Sequence, residues 1–130
     1  MLRCVPKAAL ALALPLLLVS TASAQTSRPF PATALRGALQ ITQPPDVLLN
    51  GEAARLSPGS RIRGANNMLQ LSGALVGQNL LVHYTREMTG LVHEVWILTP
   101  EEAARKPWPT TADEARRWEF NPAAQTWTRK

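Results

Sequence analysis

Between Arg36 and Leu98 apolar and polar residues alternate with a period of two, in short runs separated by Gly, Pro, Asn and Ser. That period belongs to strands with one buried face. Leu39 and Ile41 alternate with Ala38 and Gln40, and Pro44-Pro45 ends this first strand. In DVLLNGEAARL (Asp46–Leu56) the Asn50-Gly51 pair predicts a type I′ turn, because both residues tolerate positive φ. The register that follows pairs Leu49 with Glu52 and Val47 with Ala54. Ser57-Pro58-Gly59-Ser60 reads as another turn, with a short Arg61–Arg63 strand and a Gly-Ala-Asn-Asn loop behind it. Met68–Ser72 alternates again, and Gly73 and Gly77 bracket a compact crossing segment. About six short strands at roughly 8–12-residue spacing predict a mainly β fold: a small five- to six-stranded antiparallel barrel of OB or SH3 type.

The longest hairpin is LVHYTREMTGLVHEVWILTP (Leu81–Pro100), which carries the chain's two histidines. A three-residue loop with Gly90 left-handed pairs Glu87 with Leu91, Thr85 with His93 and His83 with Val95. Both imidazoles then share one face as diagonal neighbours, roughly 7 Å apart at Cβ. A loop one residue different would put them on opposite faces. With Met88 or Met68 they form a candidate copper-type site, but zinc needs at least three protein ligands and Glu94 points away in this register. Two strand histidines beside Tyr84 and Trp96, without metal, are the simpler reading.

After Leu98 the pattern becomes helical. Thr99-Pro100-Glu101-Glu102 is a capping box for a short helix reaching about Arg105, and Thr111-Ala112-Asp113-Glu114 repeats it. WEFNPAAQTWTRK alternates around Asn121-Pro122, predicting a closing hairpin of Trp118–Phe120 and Thr126–Thr128. At the other end, Arg3 and Lys7 precede the apolar run Ala8–Val19, followed by STASA. This is the grammar of a cleavable signal peptide with cleavage between Ala24 and Gln25. Twelve residues at ~1.5 Å each fall short of a ~30 Å hydrocarbon core, so no transmembrane segment is expected after cleavage. The expected organisation is a signal peptide over 1–24, a flexible lead-in over 25–35, a barrel domain over 36–98 and a helical, Trp-rich cap over 99–130.

Composition narrows the chemistry. Removing 24 residues from 130 leaves 106, without the single cysteine, Cys4. Disulfides, thiol nucleophiles and thiolate metal sites are thereby excluded from the processed chain. It keeps 12 basic residues against 9 acidic, a net charge of +3 rather than the +5 of the whole sequence. That is ordinary solubility and does not point to nucleic acid. No Gly-x-Ser-x-Gly stands in the sequence, and the paired carboxylates lie in helix first turns where the macrodipole accounts for them, so no catalysis and no cofactor are expected. Arg55, Arg61 and Arg63 flank the Ser-Pro-Gly-Ser turn as a candidate cationic edge for an anionic envelope polymer or an acidic partner face. Edge arginines that discourage aggregation are the plainer account. Trp108, Trp118 and Trp127 form a candidate stacking surface, but a chain of this size without disulfides has more need of them as buried area.

The runs LLNGEAARLSPGSRIR, GALVGQ and VHYTREMTGLVHEVWILTPEEA, with the tail WEFNPAAQTW, resemble small exported proteins of unknown function from Gram-negative bacteria. The layout of a turn, a glycine-bounded crossing and a long hairpin is similar to OB-like barrels of the bacterial envelope. Neither resemblance supplies an activity or site residues. The signal peptide gives the expected periplasmic location, and the expected role is a binding or structural module of the cell envelope with partner unknown; a periplasmic His/Met metal-binding protein is the alternative.

Overall fold

Asn50 and Gly51 close a hairpin in the register their chemistry dictates. Both take positive φ, 54° and 80°, with Leu49 facing Glu52 and Val47 facing Ala54. The Asn50 side chain also reaches outward, its Oδ1 accepting the Ala38 N–H at 2.9 Å. The structure, a computed structural model, describes residues 28–130. The expected leader and its cleavage point lie outside the described residues.

The chain is mainly β, with a six-stranded sheet, two short helices and a small hairpin. β1 (Leu35–Gln43), β2 (Asp46–Leu49), β3 (Glu52–Arg63), β4 (Leu69–Gln70), β5 (Asn79–Arg86) and β6 (Val92–Ile97) lie in the order β2-β1-β5-β6-β3-β4. β2 pairs with β3 as well, so the pairings run β1–β2–β3–β6–β5 and return to β1. The expectation of a wholly antiparallel sheet is corrected in one place: β3 and β6 are parallel. A parallel pair needs a long crossover, and the stretch from Gly64 to Leu91, with β4, a 3-10 turn at Ser72–Leu75 and β5, supplies it.

A second correction concerns Ser57–Ser60. It does not separate two strands but lies within the single strand β3. Leu56 faces Val92 and Arg61 faces Glu94, so five steps on β3 match two on β6. Pro58 has no N–H for a ladder bond, and the chain answers with a bulge rather than a reversal. β4 is also shorter than Met68–Ser72.

Side chains alternate across the sheet and bury themselves on both sides. Leu39, Ile41, Val47, Leu49, Leu56, Ile62, Val82, Tyr84, Val92 and Val95 fill the inner face. On the outer face one row crosses five strands: Arg36 opposite His83, His83 opposite Trp96, Trp96 opposite Arg63, Arg63 opposite Leu69. The first three lie beneath a cap made of α1 (Pro100–Ala103), α2 (Ala112–Arg117) and the hairpin β7 (Glu119–Asn121) with β8 (Thr126–Thr128). Phe30, Ala34, Trp96, Trp108 and Trp127 form the core between cap and sheet.

Helices this short are not stable alone. The caps read in the sequence start them: Thr99 Oγ1 accepts the Glu102 N–H and Thr111 Oγ1 the Glu114 N–H, each at 3.2 Å. Only the first is completed as a capping box, the Glu114 carboxylate accepting from Thr110 instead. The lead-in, from Arg28 onward, runs between sheet and cap. Phe30 meets the rings of His83, Trp96 and Trp108 edge-on, and its backbone N–H donates to Gln125 Oε1 at 2.8 Å. No helix among the described residues is long and apolar enough to cross a membrane.

Candidate functional site

Three places on the molecule carry unexpected chemistry. The first is a polar network sealed under the cap. Arg28 grips Glu102 with two nitrogens, Nη2 to Oε1 at 2.5 Å and Nε to Oε2 at 3.0 Å. It also donates to the carbonyls of Gly64 at 2.9 Å and Ile97 at 2.7 Å. Glu102 caps its own helix by accepting the Thr99 N–H at 2.9 Å. Burial pulls the Glu102 pKa up, but hydrogen bonds from Arg28 and Thr99 outweigh it and hold the carboxyl below its ordinary value. Arg36 spans cap and sheet, donating to the Glu102 and Ala103 carbonyls at 2.9 and 3.2 Å and to His83 Nε2 at 3.3 Å.

His83 is 1% exposed and stacks on Trp108 with ring centroids 4.0 Å apart. A guanidinium can only donate, so Nε2 accepts and the neutral ring carries its proton on Nδ1. That Nδ1 is buried without a partner. Desolvation first, then the charges of Arg36, Arg28 and Arg105, lowers the His83 pKa from 6.5 to about 3. This imidazole is a neutral part of the core.

The second place is the hairpin around the other histidine. Its turn forms as expected: Gly90 has a φ of 90° and the Glu87 N–H donates to the Leu91 carbonyl at 2.8 Å. The register above it differs, because a bulge between Tyr84 and Arg86 sets His83 opposite Trp96 instead of Val95. Thr85 Oγ1 accepts the Glu94 N–H there, a bond that a backbone carbonyl would otherwise take. His93 consequently faces Ser57 and Glu87 while His83 faces the cap. Met88 is fully exposed at the loop tip. The candidate ligands His83, His93 and Met88 are thus not brought together, and the described residues contain no cluster of three His, Cys, Asp or Glu that could hold a metal ion. Ser57 Oγ and Glu87 Oε1 each stand 3.3 Å from His93, and both meet the same nitrogen, Nδ1. A serine–histidine–acid relay uses the two opposite ring nitrogens.

The third place is a cavity of about 320 Å³ between the Pro44-Pro45 turn, the β3 bulge and β4. Its walls are Pro44, Pro45, Leu56, Pro58, Ile62 and Leu71 with the neutral polar groups of Ser57, Ser60, Gln70 and Ser72. Beside it four large apolar residues face solvent within nine positions: Met68 at 65%, Leu69 at 63%, Leu71 at 80% and Val76 at 47% exposure. Within this apolar rim Leu69 continues the outer row of the sheet, opposite Arg63, while Leu71 and Val76 flank the 3-10 turn.

The remaining candidates divide between these places. Arg61 and Arg63 adjoin the rim, with Arg63 donating to the Asn67 carbonyl at 3.4 Å. Arg55 pairs with Asp46 at 3.3 Å on the exposed β2–β3 hairpin. Trp108 and Trp127 are buried in the cap core, and Trp118 is half-buried with Arg129 over its ring. The sequence reading missed the apolar rim because alternation in Met68–Ser72 predicts one buried face. The usable signal was the adjacency of Met68 and Leu69, which no single buried face of a strand can hide. Arg28 and Arg36 carried no signal, since each stands alone in the sequence. No protein-family model, curated protein or solved structure matches the chain.

Proposed function

We propose that the chain is an exported, non-catalytic binding module of the bacterial envelope, built on a five-stranded OB-like barrel. The returning circuit of pairings, with β3 and β6 parallel, supports the barrel. The charged start, apolar run and small-residue site before Gln25 support export to the periplasm. The non-catalytic reading is supported by His93, whose single nitrogen serves both Ser57 and Glu87 and so activates neither as a nucleophile or base. The observation that carries the binding role is the exposed row Met68, Leu69, Leu71 and Val76 beside an uncharged cavity. Large apolar side chains clustered at a concave surface mark interaction sites.

The test uses anilinonaphthalene sulfonate, an apolar anion whose fluorescence rises on leaving water. The folded chain is expected to bind it saturably, and a Leu69→Ser/Leu71→Ser double variant to lose most of that signal with its thermal midpoint unchanged. Both leucines are exposed, so their replacement leaves the cores intact. A dark titration of the parent, or an undiminished signal in the variant, overturns the assignment of this surface.

A further inference from the structure

Resting on that reading, we infer that the Met68–Val76 rim docks on an anionic lipid surface. Three observations converge. Met68 before β4, Leu69 within it, and Leu71 and Val76 at the two ends of the 3-10 turn expose four large apolar side chains within nine positions, the form in which a protein wedges side chains into the headgroup boundary. Arg63 stands directly across the strand pair from Leu69, and Arg61 lies on the same face. Glu94 stands opposite Arg61, which leaves Arg63 as the cation without a carboxylate across from it in the register. Anionic lipid complements that arrangement. The third observation is where the chain reaches the fold. Arg28 Nη1 donates to the Gly64 carbonyl at 2.9 Å, and the Gly64 N–H donates to the Met68 carbonyl at 2.8 Å. The lead-in therefore arrives at the loop that ends in Met68, where the rim begins, and only eight residues separate Arg28 from the end of the apolar run Ala8–Val19. A membrane-seeking leader tethered there would turn this face toward the bilayer, and the rim would keep the contact once the leader is gone.

Other occupants fit less well. β4 has two residues, too few for the main-chain ladder by which a peptide adds to a sheet edge. A second copy related by a twofold axis at the rim would bring Arg63 toward its own symmetry mate.

The experiment is co-sedimentation of the chain from Gln25, which contains every residue of both buried cores, with phosphatidylglycerol–phosphatidylcholine vesicles and with phosphatidylcholine alone. Binding is expected to the anionic vesicles and to weaken with salt. Leu69→Ser and Leu71→Ser should each reduce partitioning about tenfold, the weight of one large aliphatic side chain. Arg63→Glu should reduce it at least about fivefold. Absence of sedimentation, equal binding to neutral vesicles, or binding indifferent to these substitutions overturns the proposal. So does a concentration-dependent dimer lost in Leu69→Ser/Leu71→Ser without vesicle binding, which assigns the rim to a second copy. Retained dye binding without vesicle binding would leave the binding module standing and remove only its lipid partner.

Discussion

Replacing Glu102 by alanine is expected to destabilise the chain by about 3–5 kcal/mol, the cost of leaving one member of a buried ion pair alone. Arg28 would keep its bonds to the Gly64 and Ile97 carbonyls but would hold a full positive charge under the cap with no carboxylate to meet it. The same substitution removes the acceptor of the Thr99 N–H and with it half of a capping box on a four-residue helix. Domains of this size are stable by only about 5–15 kcal/mol, so much of the margin goes with one carboxylate. Urea titration followed by tryptophan fluorescence reads the loss directly, because Trp96, Trp108, Trp118 and Trp127 all pack around the cap. An Arg28→Met/Glu102→Leu double variant should be more stable than Glu102→Ala, since it leaves no unpaired charge. If Glu102→Ala unfolds within about 1 kcal/mol of the parent, the Arg28–Glu102 pair does not fasten the cap, and aromatic packing alone must hold it.

What could be read from the sequence followed local rules, and what could not depended on distant partners. Asn50-Gly51, Thr99-x-x-Glu102 and Thr111-x-x-Glu114 each specify a conformation within a few residues; the first two form as spelled, and the third forms its threonine cap without the reciprocal glutamate bond. The hairpin at Gly90 shows where local rules end. Its turn is as expected, yet one bulge in β6 opposite Thr85, where three steps on β6 match two on β5, moves His83 from Val95 to Trp96. A period-two pattern cannot register such an insertion, because every residue beyond it still alternates. Ser57–Ser60 is a related case: proline and glycine spell a break in pairing, but whether the chain reverses or bulges depends on the strand beside it. The network of Arg28, Arg36, His83 and Glu102 lay further out of reach. Its contacts span 47 to 74 residues of sequence, and arginine read alone is a surface residue. Met68, Leu69 and Leu71 invert that lesson. Alternation puts Leu69 and Leu71 on one face and predicts that face buried, yet the outer row that is dry at His83 is wet at Leu69.

Stability is expected to fall as pH drops from about 6.5 toward 3, with His83 as the cause in the upper part of that window. The folded chain holds this ring neutral down to about 3, through burial first and then the facing charges of Arg36 on β1, Arg28 in the lead-in and Arg105 beyond α1; the unfolded chain protonates it near 6.5. Between those values the unfolded state binds a proton that the folded state refuses, so acid favours unfolding, by up to about 1.4 kcal/mol per pH unit from this one group. Glu102 on α1 acts in the same direction but lower. Its folded pKa lies below the ordinary 4.5, so the stability it contributes is present above 4.5 and is lost as pH falls through its depressed value. The interval from 6.5 to 4.5 therefore isolates the histidine. His83→Gln retains an amide oxygen to accept from Arg36 and cannot titrate, so its urea midpoint should stay nearly flat across that interval while the parent's declines. The variant will lose some stability at neutral pH with the Trp108 stack, but the slope, and not the level, tests the assignment. Equal slopes in parent and variant would mean that His83 protonates in the folded chain as it does in water, which a ring sealed between Trp108, Phe30 and a guanidinium cannot do without opening the cap.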